Sequence, residues 1–352
     1  MFKLLWIQFF KRAPFNLRGL FGIKKEYNSK ALALFLSAYC NLYTICPSKK
    51  KLSKINFFID TILGNSSLGY SGSCWGYNFD WEARAFTQPI NTPTIVASSF
   101  VANALLDAFL ITNDLKLLEA ARSTCQFILK DLNRTYDSKG NFSFSYSPVD
   151  KSVVFNASLL GAKLLSRVFT FTNEILLIQE AKRVVDFCCE RQNLDGSWTY
   201  GILPYHQWID NFHTGYNLEC IADYMKFSND FSYSIHLEKG FSFYIDSFFL
   251  KNGIAKYYHN SIYPIDIHSA AQLLVTLDHL NLFEAYVPLV NNVLNWTIDH
   301  MQSKRGYFYY QINKYFSSKI SYMRWSQAWM FYSFSILFLN KPSLFFEKNL
   351  TC

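Results

Sequence analysis

QNLDGSWTYGILPYHQWIDNFHTGYNLE, residues 192–219, joins a turn, an aromatic strip and a helix start. Asp195-Gly196 is a turn signal, and Ser197 to Gly201 alternates Trp198 and Tyr200 with small residues, as a short extended strip does. A polar loop follows, in which His206, Trp208, Asp210 and His213 fall close together before Gly215-Tyr216-Asn217 leads into an apolar helix.

The same layout recurs outward in both directions. Toward the N-terminus, Trp75-Gly76-Tyr77 is followed by Asp80, Trp81, Glu82 and Arg84, and a helix opens at Pro93-Thr94. Gly140 to Tyr146 forms another strip, with Asp150-Lys151 as its loop and an enclosed helix from Val153 to Leu165. Toward the C-terminus, Asn252 to His259, with Tyr258, precedes Tyr263, Asp266, His268 and a helix carrying Gln272. Arg305 to Tyr310 then precedes Ser321, Tyr322, Arg324 and a helix carrying Gln327. Enclosed helices are thus expected to start near Ser29 (itself the N-cap), Thr94, Val153, Gly215, Ile267 and Met323, at a spacing of roughly 52 to 65 residues. Amphipathic helices alternate with them, from Pro47 to about Leu63, from Asp114 to Lys130 and up to Arg191.

Six apolar helices alternating with one-faced partners predict an all-α fold, an (α/α)6 toroid of helical hairpins with short aromatic β-like strips in the loops at one end. Closing the ring buries every enclosed helix without capping repeats, which an open solenoid requires. We expect one toroid domain over residues 29–352 and a basic, apolar arm over 1–28. After the last inner helix ends near Asn340, too little chain remains for an outer helix, and Phe2 to Arg12 is expected to fill that slot.

The chain has 352 residues, half of them apolar, with 34 Phe and 23 Tyr, enough to fill a large core and leave ring faces over for sugars. A net charge of +8 suits an anionic partner, and no dense Lys/Arg tract with motif context points to nucleic acid. The eight cysteines show no C-x-x-C pair, and Cys40, Cys125, Cys188 and Cys220 sit in apolar helical pattern as buried thiols do, so no zinc site is expected. The opening MFKLLWIQFFKRAPF is a poor signal peptide, because its short apolar run is broken by Gln8 and lacks a small-residue cleavage site. No later stretch approaches the roughly 20 apolar residues of a span. A cytoplasmic protein is expected, with the arm as a contact to the inner-membrane surface.

WGYNFDWEAR with PTIVASSFVANALLDAF, and QNLDGSWTYG with WIDNFHTGYNLEC, resemble the VpsJ-type polysaccharide-biosynthesis proteins of exopolysaccharide and O-antigen clusters, from about Asn16 onward. The resemblance implies a six-hairpin-glycosidase-like toroid and a place in surface-glycan assembly, and supplies no catalytic residue. Gln192-x-x-x-Gly196-x-Trp198 is also similar to the Gln-Trp repeat of triterpene cyclases, read as a scaffold trait.

In such a ring every strip and polar loop precedes an inner helix, so all converge on one funnel lined by positive helix N-termini. Two reactions suit its residues. Glycoside hydrolysis needs two carboxylates across the bond, and Asp80 and Asp210, each between aromatics, are the preferred pair. Proton abstraction next to a uronate carboxylate needs a base, an acid and a cation; His213, beside an inner-helix start, is the preferred base. Substrate contacts are expected from Trp81, Glu82, Arg84, Trp198, Tyr200, His206, Trp208, Tyr258, His259, Asp266, His268, Tyr310 and Arg324. His206, Asp210 and His213 lack a strong metal spacing, and neither metal nor cofactor is expected. The expected partner is a carbohydrate, acidic glycans included. The rival reading is a non-catalytic glycan-binding or scaffolding subunit of the assembly machinery.

Overall fold

A computed structural model describes residue 6 and residues 9–10, 16–82 and 87–343, with only the backbone of Glu82 and Thr87. Helices α1 (Ser29–Ile45) and α2 (Lys49–Gly64) form the first hairpin, α3 (Ile95–Thr112) and α4 (Leu115–Asp131) the second, and α5 (Phe155–Thr172) and α6 (Ile175–Cys189) the third. They are followed by α7 (Asn211–Ser228) with α8 (Ser234–Phe248), α9 (Ile267–His279) with α10 (Val287–Met301), and the last inner helix, α11 (Ala328–Asn340). The odd-numbered helices pack each on the next, and α11 returns onto α1. The ring is therefore closed, and the expected toroid is the fold.

Composition explains which helix goes inside. Helix α3 buries Ile95, Val96, Ala97, Ser98 and Ser99 in consecutive positions, so its N-terminal part has no solvent face. It is long and apolar enough to cross a membrane, which the sequence reading had not credited to any stretch, yet most of it is covered by protein. Helix α2 buries only Ile55, Ile59 and Ile62, a single stripe at helical spacing, and turns its lysines outward. Inner helices come close where a side chain is missing: a Cβ on Gly215 of α7 would lie 2.5 Å from Gln272 Cγ and 2.7 Å from Thr276 Oγ1 of α9.

The two ends of the ring are built differently. At the C-terminal ends of inner helices, Asn113, Asn173 and Asn229 adopt φ of +55°, +55° and +57°, the left-handed cap that ends a helix. Before each, Thr112, Thr172 or Ser228 donates its hydroxyl to the carbonyl of Ala108, Val168 or Tyr224. These tight turns leave all the long loops at the opposite rim.

There the strips are pinned to the helices. The N–H groups of Trp75, Phe144 and Phe308 donate to Ser98 Oγ, Ser158 Oγ and Gln327 Oε1. The indoles of Trp75 and Trp198 donate to the carbonyls of Ile62 and Cys188. Short antiparallel pairs complete the rim: β1 (Trp81–Glu82) with β2 (Thr87–Gln88), β3 (Arg134–Tyr136) with β4 (Phe142–Phe144), and β5 (Ile265–Asp266), β6 (Gln311–Ile312) and β7 (Ser317–Ser318) in one sheet.

Some boundaries shift. Asn28, not Ser29, caps α1 by accepting from Ala31 N. Helix α7 starts at Asn211 rather than Gly215, because Asp210 caps it. Met323–Gln327 forms a single wide π turn before α11. Cys40, Cys74, Cys125, Cys188, Cys189 and Cys220 are buried and free, whereas Cys46 is disulfide-bonded. The expected docking of Phe2 to Arg12 lies largely outside the described residues; within it, the Phe10 carbonyl accepts from the Tyr322 hydroxyl at 3.3 Å.

Candidate active site

The first turns of the inner helices bring together side chains from distant stretches. At the start of α7, Asp210 Oδ1 accepts the His213 N–H at 3.0 Å, and its Oδ2 accepts the Trp208 indole N–H at 2.9 Å and meets His213 Nδ1 at 2.7 Å. In the neutral ring, a carboxylate on Nδ1 holds that nitrogen in its N–H form and leaves the lone pair on Nε2. Trp208 stacks on Tyr200 with centroids 4.4 Å apart, and Tyr200 in turn lies 4.7 Å from the His213 ring. A sequence pattern of alternating aromatics thus becomes a wall around an oriented imidazole.

Phe212 carries the geometry across to α9. Its ring centroid is 4.3 Å from that of His213 and 4.3 Å from that of His268, so two histidines from different hairpins lie against one ring. His268 is buried, stacked on Trp329 at 4.1 Å, with Nε2 3.0 Å from the Tyr216 hydroxyl. Burial, reinforced by Lys30, His213 and Arg324, pulls its pKa well down, so the ring is neutral near pH 7. Its Nδ1 is buried without a hydrogen-bond partner.

Lys30, from the first turn of α1, completes this floor. Its ammonium donates to the Tyr216 hydroxyl at 3.2 Å and lies 4.1 Å from the centre of Phe100 and 5.3 Å from that of Trp329. Burial first, then the charge of Arg324, holds the lysine pKa well below its ordinary value, with Glu219 opposing. Burial keeps Tyr216 protonated, its pKa pushed well up. Arg324 sits at the rim over Tyr77, 5.0 Å from its centre, and over Phe79 and Trp325. The cluster therefore presents an oriented imidazole, a buried imidazole, a phenol, a buried lysine and a guanidinium.

The predicted residues divide. His213, Tyr200, Trp208, His268 and Arg324 come together here. The carboxylates each have local hydrogen-bond partners. Asp210 is a helix cap that orients His213, while Asp80 is exposed and accepts from Ile90 N. Asp266 caps α9 and also accepts from Gln311 and Trp325. Asp150 accepts from Ser147, Ser152 and the Tyr146 N–H. Trp198 is a buried pin rather than a sugar platform. His206 is buried among Tyr200, Tyr205 and Trp208. Tyr258 packs on Tyr257, Tyr310 on Tyr322 and Trp325, and Trp81 on Tyr77 and Tyr146. His259 Nδ1 faces the Ile209 carbonyl at 3.3 Å. Arg84 and the Glu82 side chain lie outside the described residues. Among the described residues, no group of three or more His, Cys, Asp or Glu is placed to hold a metal.

Sequence reading missed Lys30 and Tyr216 as functional. Lys30 carried a signal: a cation in the first turn of an enclosed helix opposes the helix dipole and needs a reason to be there. Tyr216 lies three residues after His213, hence on the same helix face.

No family model matches the chain, and no curated protein matches it. Solved structures do. Cellobiose 2-epimerase from Bacillus thermoamylovorans B4167 is similar over 89% of this chain and 88% of that one, with 13% identity and a TM-score of 0.68. A GH76 alpha-mannanase from Bacteroides thetaiotaomicron is similar over 92% and 89%, at 13% identity and a TM-score of 0.66. A D-mannose isomerase matches over 88% and 86%, at 12% identity and a TM-score of 0.65. Together with the closed ring of inner helices, these likenesses establish the fold as an (α/α)6 toroid.

Proposed function

We propose that this protein is a carbohydrate-active enzyme that moves a proton at a sugar carbon next to a carbonyl or carboxylate, the step shared by epimerases, isomerases and lyases. The observation that carries this is the pair His213 and His268 against Phe212, with His213 Nδ1 held by Asp210. His213 Nε2 takes the carbon-bound proton, and the electron pair moves onto the adjacent carbonyl or carboxylate oxygen. Arg324 and Lys30 offset the negative charge that develops there. The Tyr216 hydroxyl, bonded to both Lys30 and His268, can donate a proton to the oxygen, and a protonated imidazole returns one to carbon.

The solved neighbours named as an epimerase and an isomerase support this reading of the shared fold. Hydrolysis fits less well, because a glycosidase needs two available carboxyls, and among the described loop carboxyls Asp150, Asp210 and Asp266 spend their oxygens on serine hydroxyls, backbone N–H groups, an amide and indoles. From the likeness to VpsJ-type proteins we assign the reaction to exopolysaccharide or O-antigen assembly, and from the net charge of +8 we favour an acidic glycan or lipid-linked oligosaccharide. We assign it to the cytoplasm, with the basic arm against the inner-membrane surface.

Incubation in D2O with reducing disaccharides and uronate oligosaccharides tests the reaction class. Carbon-bound deuterium measured by mass spectrometry is expected with the intact chain, falling by about 10²- to 10⁴-fold in His213→Ala, the range for loss of an acid–base group. Sugar release without deuterium would mean hydrolysis. Binding without either would mean a scaffolding subunit.

A further inference from the structure

The residues of the proposed reaction lie on the first turns of the inner helices, but the ring is hollow at its other end. A cavity of about 470 Å³ lies there, and all six inner helices contribute to its wall, with Ser37, Asp107, Arg167, Asp223, His279 and Tyr332 as one residue from each. Lining positions recur at helical spacing, such as Asn103, Asp107 and Leu110 on α3, so each helix turns one polar stripe to the axis. The volume falls within the roughly 300–1,000 Å³ of small-molecule sites.

The chemistry of the wall selects the occupant. Its deeper ions are matched, and Asp278 accepts from the Asn340 amide, while Lys226 at the exposed rim is in no ion pair among the described residues. Lys163 Nζ is 2.9 Å from Asp223 Oδ2 and 3.5 Å from Glu219 Oε1, His279 Nδ1 is 3.0 Å from Asp223 Oδ1, and Arg167 Nη2 is 2.7 Å from Asp107 Oδ1. Matched ions leave little for another charge, but their remaining lone pairs and N–H groups make strong bonds to neutral hydroxyls. Beside them are ring faces from Phe100, Phe171, Trp329 and Tyr332, suited to the C–H face of a pyranose. Ser99 Oγ, fully buried in the wall, has no hydrogen-bond partner, and a buried hydroxyl calls for one.

We propose that this far-end cavity is a second site, for a neutral mono- or disaccharide, separate from the mouth. Phe100 and Trp329 form the partition, since they line the cavity and also pack against Lys30 or His268 on the mouth side. The proposal stands whether or not the mouth performs chemistry.

The test measures binding of glucose, mannose, maltose and glucuronate to the whole chain by calorimetry and saturation-transfer NMR. Leu110→Trp and Thr170→Trp narrow the cavity at exposed lining positions, Ser99→Ala removes the orphan hydroxyl, and His213→Ala alters only the mouth. The expected result is a neutral sugar bound more tightly than glucuronate. Its affinity should fall about tenfold or more in the tryptophan variants and measurably in Ser99→Ala, and stay unchanged in His213→Ala. Loss of binding in His213→Ala alone would overturn the proposal. So would preference for glucuronate, or no neutral sugar bound up to about 10 mM. Should a tryptophan variant fail to fold, Ser99→Ala decides alone, and unchanged affinity there refutes the site.

Discussion

Replacing Lys163 by Met tests the ionic core of the ring. The Lys163, Asp223 and Glu219 side chains are 9%, 6% and 3% exposed, so this is a buried cluster and not a screened surface pair. Met conserves most of the volume, leaving charge as the main change. Without the ammonium, Asp223 keeps His279 at 3.0 Å, but Glu219 keeps only the Gln272 amide at 3.2 Å. Removing one partner of a buried ion pair costs about 3–5 kcal/mol, and the unpaired Glu219 puts the expected loss within that range. Burial works against the charge of Asp223, but His279 and Lys163 outweigh it and hold its pKa below the carboxylate range. Its contribution is therefore complete above an unfolded pKa of about 4 and is lost as pH falls through the folded value. Burial also works against the charge of His279, and Asp223 outweighs it and raises its pKa, so that contribution is complete below about pH 6.5 and is lost as pH rises through the folded value. In Lys163→Met, Asp223 loses one of the two cations that hold its pKa down and takes up its proton more readily, so the deficit against the parent chain should shrink from pH 7 toward pH ~4.5. Urea unfolding followed by tryptophan fluorescence, with an unchanged slope as control, measures it. A loss under about 1 kcal/mol, or one equal at both pH values, would refute a buried, mutually dependent cluster.

Lys30→Met should separate function from stability. A lysine whose folded pKa is depressed withdraws stability below that value and restores it as pH rises toward the unfolded pKa of about 10.4, so the variant should be no less stable at pH 7. Deuterium incorporation should nevertheless fall by about 10²-fold or more; unfolding curves and the exchange assay together check this. Gly215→Ala forces a Cβ to within 2.5 Å of Gln272 Cγ. It should destabilise the chain by about 1–3 kcal/mol through separation of α7 from α9, read as a lower midpoint in urea.

The repeat was legible because every strip of aromatics before an enclosed helix came from the same local demands: a turn glycine, an extended pin, a cap. Gly196, with φ of +90° and a backbone carbonyl 2.3 Å from where its Cβ would be, shows why the turn admits no other residue comfortably. The far-end signature was missed. Thr112-Asn113-Asp114, Thr172-Asn173-Glu174 and Ser228-Asn229-Asp230 recur as plainly as the strips, but short polar triplets between helices resemble any loop. The candidate site was half legible. His213 stands out by its position at a helix start, whereas a one-dimensional pattern does not show which donors surround the Asp210 carboxylate.

Periodicity and caps were enough to determine the inner helices and the rim on which the decorated loops emerge, because these depend on contacts within one hairpin and its own loops. Only the closed ring decided the rest. It brought Lys30 of the first hairpin to Tyr216 of the fourth and set His268 beside Phe212. It also sank Lys163 between Glu219 and Asp223, where the loss of water turns ordinary side chains into a floor, a base and an ionic core. Those encounters join different hairpins, and their chemistry comes from burial, a property of the assembled ring that no single stretch of residues possesses.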